Sequence, residues 1–225
     1  MIKNIYNLGD AALYCDFGDT VNKETNLKVI NYFNDIRKKN ITGIKNIAPS
    51  YNKLIIYFDL ELTNYKKIKD TVENLDISTF EAAKTKLIKI PVCFDDEFAL
   101  DLERVEKKAG ITKKEIINQL IAQKYFCYMT GFIAGMPFLG DLDENMRVPR
   151  LETPRVKVPK GSVALTEQFA NIYTFESPGG WNILGNTPVD VFDNSKEEEP
   201  NLINPGDIVV FKQINLEKYN SYNDK

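Results

Sequence analysis

A chain of 225 residues, 43% apolar and 27% charged, has room for two domains and enough core to need no disulfide or metal. Its net charge of −3 and pI near 5.3 exclude a global basic field for nucleic acid or anionic membrane. Histidine is absent, which excludes Ser-His-Asp and Cys-His pairs, histidine-ligated zinc and an imidazole base near pH 7. No apolar run is long enough to span a membrane, and Met1-Ile-Lys-Asn-Ile5 lacks the regions of a signal peptide, so a soluble cytoplasmic protein is expected. Cys15, Cys93 and Cys127 are far apart in apolar runs and read as buried reduced thiols.

In chain order, Ala11 to Phe17 predicts a strand, and residues 23–39 carry Leu27, Ile30, Phe33 and Ile36 at helical spacing. Ile44 to Ile47 and Leu54 to Phe58 predict a hairpin, followed by a helix with Tyr65, Ile68, Val72 and Leu75 on one face. This β-α-β-β-α order predicts a small α/β domain over residues 1–84, with helices on one side of an antiparallel sheet. The polar stretch from Asp76 to Lys84 reads as its boundary.

Leu87 to Phe94 then alternates as a strand, with Pro91 suggesting an edge or a bulge. Two short helices follow, one around Leu102 and Val105 ending at Gly110, the other opened by the capping box Thr112-Lys-Lys-Glu115. Tyr125 to Phe132, Ser162–Leu165, Ile172–Glu176, Asn182–Leu184, Val189–Phe192 and Ile208–Ile214 are further strand candidates between Gly/Pro turns. Together they predict a β-barrel or sandwich over residues 85–215, and 216–225 reads as a polar, frayed tail. The whole is α+β.

Chemistry concentrates in the second half. Gly131, Gly135, Pro137 and Phe138 belong to an apolar, glycine-rich stretch, either a pocket wall or a tight buried loop. Lysine outnumbers arginine 24 to 5, yet Arg147, Arg150 and Arg155 fall within nine residues. A guanidinium fork suits a carboxylate or phosphate; the alternative is that these arginines pin their loop on backbone carbonyls or on Asp141, Asp143, Glu144 or Glu152. Glu176-Ser177-Pro-Gly179-Gly180-Trp181 holds the single tryptophan, as a wall for a flat ligand or as a buried turn anchor. Asp95-Asp96-Glu97 lacks the spacing of a calcium loop. No phosphate loop or G-x-G-x-x-G is present, so no cofactor is expected on this chain alone.

Five motifs in order, Gly131-Phe…Gly-x-Pro137-Phe-Leu-Gly140, Thr153-Pro-Arg-x-x-Val-Pro-x-Gly-Ser-Val163, Ile172-Tyr173, Ser177-Pro-Gly-Gly-Trp181 and Pro205-Gly-Asp207, resemble one family. It is that of the 5-oxoprolinase B subunits, also called allophanate hydrolase subunit 1 or KipI-type kinase inhibitors. The resemblance implies a cyclophilin-like β-barrel after the α/β domain. It also implies one component of a heteromeric, ATP-dependent enzyme opening 5-oxoproline to glutamate, with C-type and A-type 5-oxoprolinase subunits as partners. Other members inhibit a sensor histidine kinase, and others form the carboxyl-transfer part of urea carboxylase, so function stays open between these.

This chain departs from the pattern at Leu120, where the family has histidine, at Phe169-Ala170-Asn171 for Gln-Thr-Gly, and at Asn186 for arginine. On the enzyme reading, Arg150 and Arg155 grip a carboxylate or carboxyphosphate-like group. Gly179 and Gly180 offer N–H groups to an oxyanion, and Lys160, Glu176 or Tyr173 carry protons. The site is shared with the partner proteins.

Overall fold

The computed structural model describes residues 2–75 and 85–222. Its chain divides into two compact units, Met1–Lys84 and Thr85–Lys225. The polar stretch 76–84, expected as the boundary, lies outside the described residues.

The first unit comprises strands β1 (Asn4–Asn7), β2 (Ala12–Asp16), β3 (Ile44–Pro49) and β4 (Lys53–Phe58), with helices α1 (Lys23–Lys39) and α2 (Tyr65–Glu73). The sheet is antiparallel in the order β1-β2-β4-β3. Leu13, Cys15 and Phe17 alternate onto one face, where they join Leu54, Ile56 and Phe58 under Val29, Ile36, Ile68 and Val72 of the two helices. Both helices therefore cover the same face, as the sequence pattern predicts. Asn22 and Asn64 cap them by accepting from the N–H groups of Thr25 and Lys67. Buried Asn26 donates to the carbonyls of Ser50 (2.9 Å) and Tyr51 (2.8 Å), which ties α1 to the β3–β4 turn.

The second unit opens with β5 (Leu87–Cys93), α3 (Leu102–Ala109), α4 (Lys113–Ala122), β6 (Tyr125–Thr130) and β7 (Pro137–Gly140). It continues with β8 (Arg155–Val158), β9 (Ser162–Thr166), β10 (Phe169–Ile172), β11 (Ser177–Gly179), β12 (Asn182–Asn186), β13 (Ile208–Ile214) and α5 (Leu216–Asn220). Seven strands close a barrel in the order β10-β7-β6-β13-β5-β12-β9, and β8 with β11 forms a separate two-stranded ribbon. The barrel interior holds Ile90, Val92, Tyr125, Leu139, Val163, Leu165, Ala170, Ile172, Leu184 and Phe211. Leu102 and Val105 of α3 and Ile116 and Leu120 of α4 join the same cluster. Closure removes the free edges that a sheet of this size would expose.

Several boundaries differ from the sequence reading. β5 is no edge strand: it pairs in parallel with β13 along its whole length, while β12 meets it only at Cys93, so Pro91 lies outside that second pairing. The strand expected at Ile172–Glu176 lies earlier, as β10, because Glu167 takes a left-handed φ of 47° and turns the chain directly out of β9. Val189–Phe192 makes a single bridge, Phe192 with Asn201, in place of a strand. The tail from Leu216 to Asn220 is helical, not frayed. Tyr219 donates to Asn186 Oδ1 at 2.8 Å and its ring lies 4.5 Å from that of Phe98.

Candidate functional site

Alternation along β10 sends Ala170 and Ile172 into the barrel and Phe169 and Asn171 to its outer face. On that outer face Met136, Ala164, Tyr173, Trp181 and Ile183 form a second buried cluster together with Val158 of the ribbon, flanked by Phe138 and Phe169. The site is therefore a seam where the β8–β11 ribbon lies on the outside of the barrel. Neighbouring strands of the barrel hold the seam from below, since Asn171 faces Phe138 on one side and Ala164 on the other.

Tyr173 is the hub of the seam. Its hydroxyl occupies the space a Cβ at Gly179 would fill, 2.1 Å from that point, so only glycine lets the ribbon lie so close. Burial raises the phenol's pKa above its ordinary value. The Trp181 backbone N–H, the Asn171 side chain and the charges of Arg150 and Arg155 pull it the other way. Trp181 is 5% exposed and meets Phe138 edge-on, with ring centroids 5.6 Å apart. The guanidinium of Arg150 stands over the indole at 5.7 Å, a cation–π arrangement at the rim of the seam.

Two groups at the seam are unsatisfied. Asn171 is fully buried, and although its carboxamide lies near Tyr173, neither its nitrogen nor its oxygen makes a hydrogen bond of good geometry. Ser177 Oγ, also buried, has no partner. Each such group costs about 1–3 kcal/mol when left unpaired away from water.

The arginines divide between the two readings. Arg155 is spent within the protein: its two terminal nitrogens bond both carboxylate oxygens of Asp101 at 2.9 and 2.8 Å. Asp101 Oδ2 also accepts the Ile183 N–H at 2.8 Å, so one buried carboxylate ties α3, the ribbon and β12 together. The partner is Asp101, 54 residues away, and none of the nearby acids. Arg147 donates to the Leu142 carbonyl at 2.9 Å and pins its loop. The connection carrying Arg150 is held by others. Asn182 and Arg104 donate to the Pro149 carbonyl, and Arg104 also reaches the Arg150 carbonyl at 3.3 Å. Held by its backbone, Arg150 is exposed and makes no ion pair among the described residues.

The remaining candidates are dispersed. Glu176 is exposed and paired with Lys157 at 2.9 Å. Lys160 lines a different cavity, paired with Asp190. Gly131 and Gly135 turn the β6–β7 hairpin: Gly131 N–H meets the Met136 carbonyl at 3.0 Å, and Phe192 packs where a Gly135 side chain would be. Pro137 begins β7, and the Gly180 carbonyl accepts the Leu151 N–H. Of the candidate proton carriers, Tyr173 is the one built into the seam. Asp101 and Asn182 were not legible as site-building residues, because their partners are distant in sequence. Leu120, the histidine position of the resemblance, is core packing in α4.

The model of the carboxyltransferase domain, subdomain C and D, matches residues 3–203. The chain belongs to this family. The 5-oxoprolinase B subunit of Bacillus subtilis is 30% identical over 98% of this chain and 97% of its own length. Its namesake from Haemophilus influenzae is 31% identical over 92% of this chain and 96% of its own. Among solved structures, TTHA0988 superposes with a TM-score of 0.82 at 28% identity, covering 91% of this chain; the chain spans 40% of that larger protein. No helix among the described residues is long and apolar enough to cross a membrane.

Proposed function

We propose that this chain is the B-type component of a heteromeric, ATP-dependent 5-oxoprolinase, which opens the lactam ring of 5-oxoproline to give glutamate. The observation that carries this reading is the end-to-end similarity to proteins named as 5-oxoprolinase B subunits, in both directions of coverage. The seam is consistent with it. Arg150 presents a guanidinium to the substrate carboxylate. A lactam shows its N–H and C=O on one edge, the complement of the unsatisfied Asn171 carboxamide. Tyr173, its pKa raised by burial, stays a hydroxyl donor, and Gly179 and Gly180 supply the backbone donors for a developing oxyanion.

Entry to the seam requires the ribbon to shift. The ribbon lies outside the barrel's own ladder and is held to it by side chains, chiefly the Arg155–Asp101 pair, which such a shift has to keep or break. With no histidine, and with Glu176 in solvent, water activation and ATP chemistry fall to the A-type and C-type companions. The test is ATP-dependent glutamate release from 5-oxoproline by the chain alone and after assembly with those companions. Turnover is expected only in the assembly. Turnover by the single chain, or a stable assembly that releases no glutamate, would overturn the proposal. Tight binding to a sensor histidine kinase with loss of its autophosphorylation would favour the inhibitor reading instead.

A further inference from the structure

Behind Tyr173 lies a separate cavity of about 240 Å³, lined by Lys160, Asn186, Thr187, Asp190 and Tyr219. Tyr173 borders it with its backbone, because its carbonyl accepts the Gly161 N–H at 2.8 Å while its side chain turns the other way into the seam. The neutral side chains of the wall are already engaged within the protein. Asn186 donates to the Lys160 carbonyl at 2.9 Å and accepts from Tyr219 at 2.8 Å, and Thr187 Oγ1 accepts from the Val189 N–H. The charged groups of the wall are one ammonium and one carboxylate, Lys160 Nζ and Asp190 Oδ1, 2.6 Å apart.

That pair is 50% and 63% exposed, so it contributes little to stability and opens at little cost. A ligand replaces it without loss only if it brings an anion for Lys160 and a cation for Asp190, close together on one small body. The cavity lies below the 300–1,000 Å³ typical of sites for drug-sized ligands and suits a body of about one amino acid. We infer that this cavity binds a free α-amino acid as its zwitterion, carboxylate on Lys160 and ammonium on Asp190, with Tyr219 of α5 closing the wall. A lactam or a plain dicarboxylate lacks the cation and is rejected at Asp190. This inference stands on the cavity's own charges and does not depend on the proposed 5-oxoprolinase role.

The experiment is isothermal titration of the full purified chain with L-glutamate, glycine and L-alanine, and with 5-oxoproline and glutarate as probes lacking the ammonium. At least one α-amino acid is expected to bind. Lys160→Met and Asp190→Asn are each expected to weaken it tenfold or more while the thermal midpoint stays at the parent's value, since both groups are half in solvent. Binding that survives both substitutions overturns the inference, as does absence of binding by all three amino acids at millimolar concentration. Displacement of the amino acid by glutarate at equal affinity overturns it too, because that would leave Asp190 without a role. Failure of the 5-oxoprolinase assay would leave these outcomes unchanged, so the two proposals fail separately.

Discussion

Arg155 lays its fork on the carboxylate of Asp101, which is buried and holds the Ile183 N–H as well. Five residues earlier, Arg150 has its backbone fastened by Arg104 and its side chain extended over Trp181. The same residue type thus serves structure at one position and presents a fork to solvent at the other. Lysine keeps the charge at either place and loses the second, parallel hydrogen bond. Arg155→Lys is therefore expected to cost about 1–2 kcal/mol of stability in urea unfolding, since Asp101 keeps only part of its pairing. Arg150→Lys is expected to stay within about 0.5 kcal/mol of the parent and to lower kcat/KM of the assembled enzyme about tenfold or more. Equal stability losses for the two variants would show that the division between them is wrong. The cluster of arginines was legible in the sequence; which of them was spent was not, because the deciding acid lies just ahead of α3.

At the level of elements, what the sequence declares depends on whether the cause is local. Gly110 ends α3 in a left-handed conformation with φ of 70°, and Thr112 and Glu115 exchange both bonds of a capping box at the start of α4. All of that chemistry lies within a few residues. Thr112→Ala removes the cap and is expected to cost about 1 kcal/mol, read as a lower urea midpoint with an unchanged slope. A change below about 0.3 kcal/mol would mean that burial of Ile116 and Leu120 alone sets the helix. The elements that escaped are those defined by pairing. β11 is Ser177-Pro-Gly179, a turn composition by any local measure, and it is a strand only because Arg155–Val158 lies alongside. β10 lies earlier in the chain than the local pattern predicts, because the turn before it uses Glu167, and neither glycine nor asparagine marks the left-handed position. α5 reads as a polar tail, and its order comes from Asn186 and Phe98.

For the molecule as a whole, the absence of histidine and the placement of the other titrating groups define a pH profile. Asp16 is held below the ordinary carboxylate range, chiefly by its bond to Lys53 and by the Gly18 N–H. A carboxyl depressed in the folded state adds stability that is present above its unfolded pKa and is lost as pH falls through the folded one. At the other end, burial pushes the Cys15 thiol up to about 12 and raises Cys93 and Cys127 as well. There the folded state holds protons that the unfolded chain gives up from about pH 8.5, so stability falls as pH rises beyond that point. Between these limits no side chain titrates at its ordinary pKa, because no imidazole exists. Stability should be level from about pH 5 to 8 and decline on both sides. Replacing the three cysteines with alanine should flatten the part of the alkaline decline that begins near pH 8.5, and leave the part set by buried tyrosines such as Tyr173, which starts near pH 10. Urea midpoints at intervals of one pH unit measure the profile. A step centred near pH 6.5 would contradict it, since it would require a side chain whose pKa is displaced into that range and which the folded structure does not provide among its described residues.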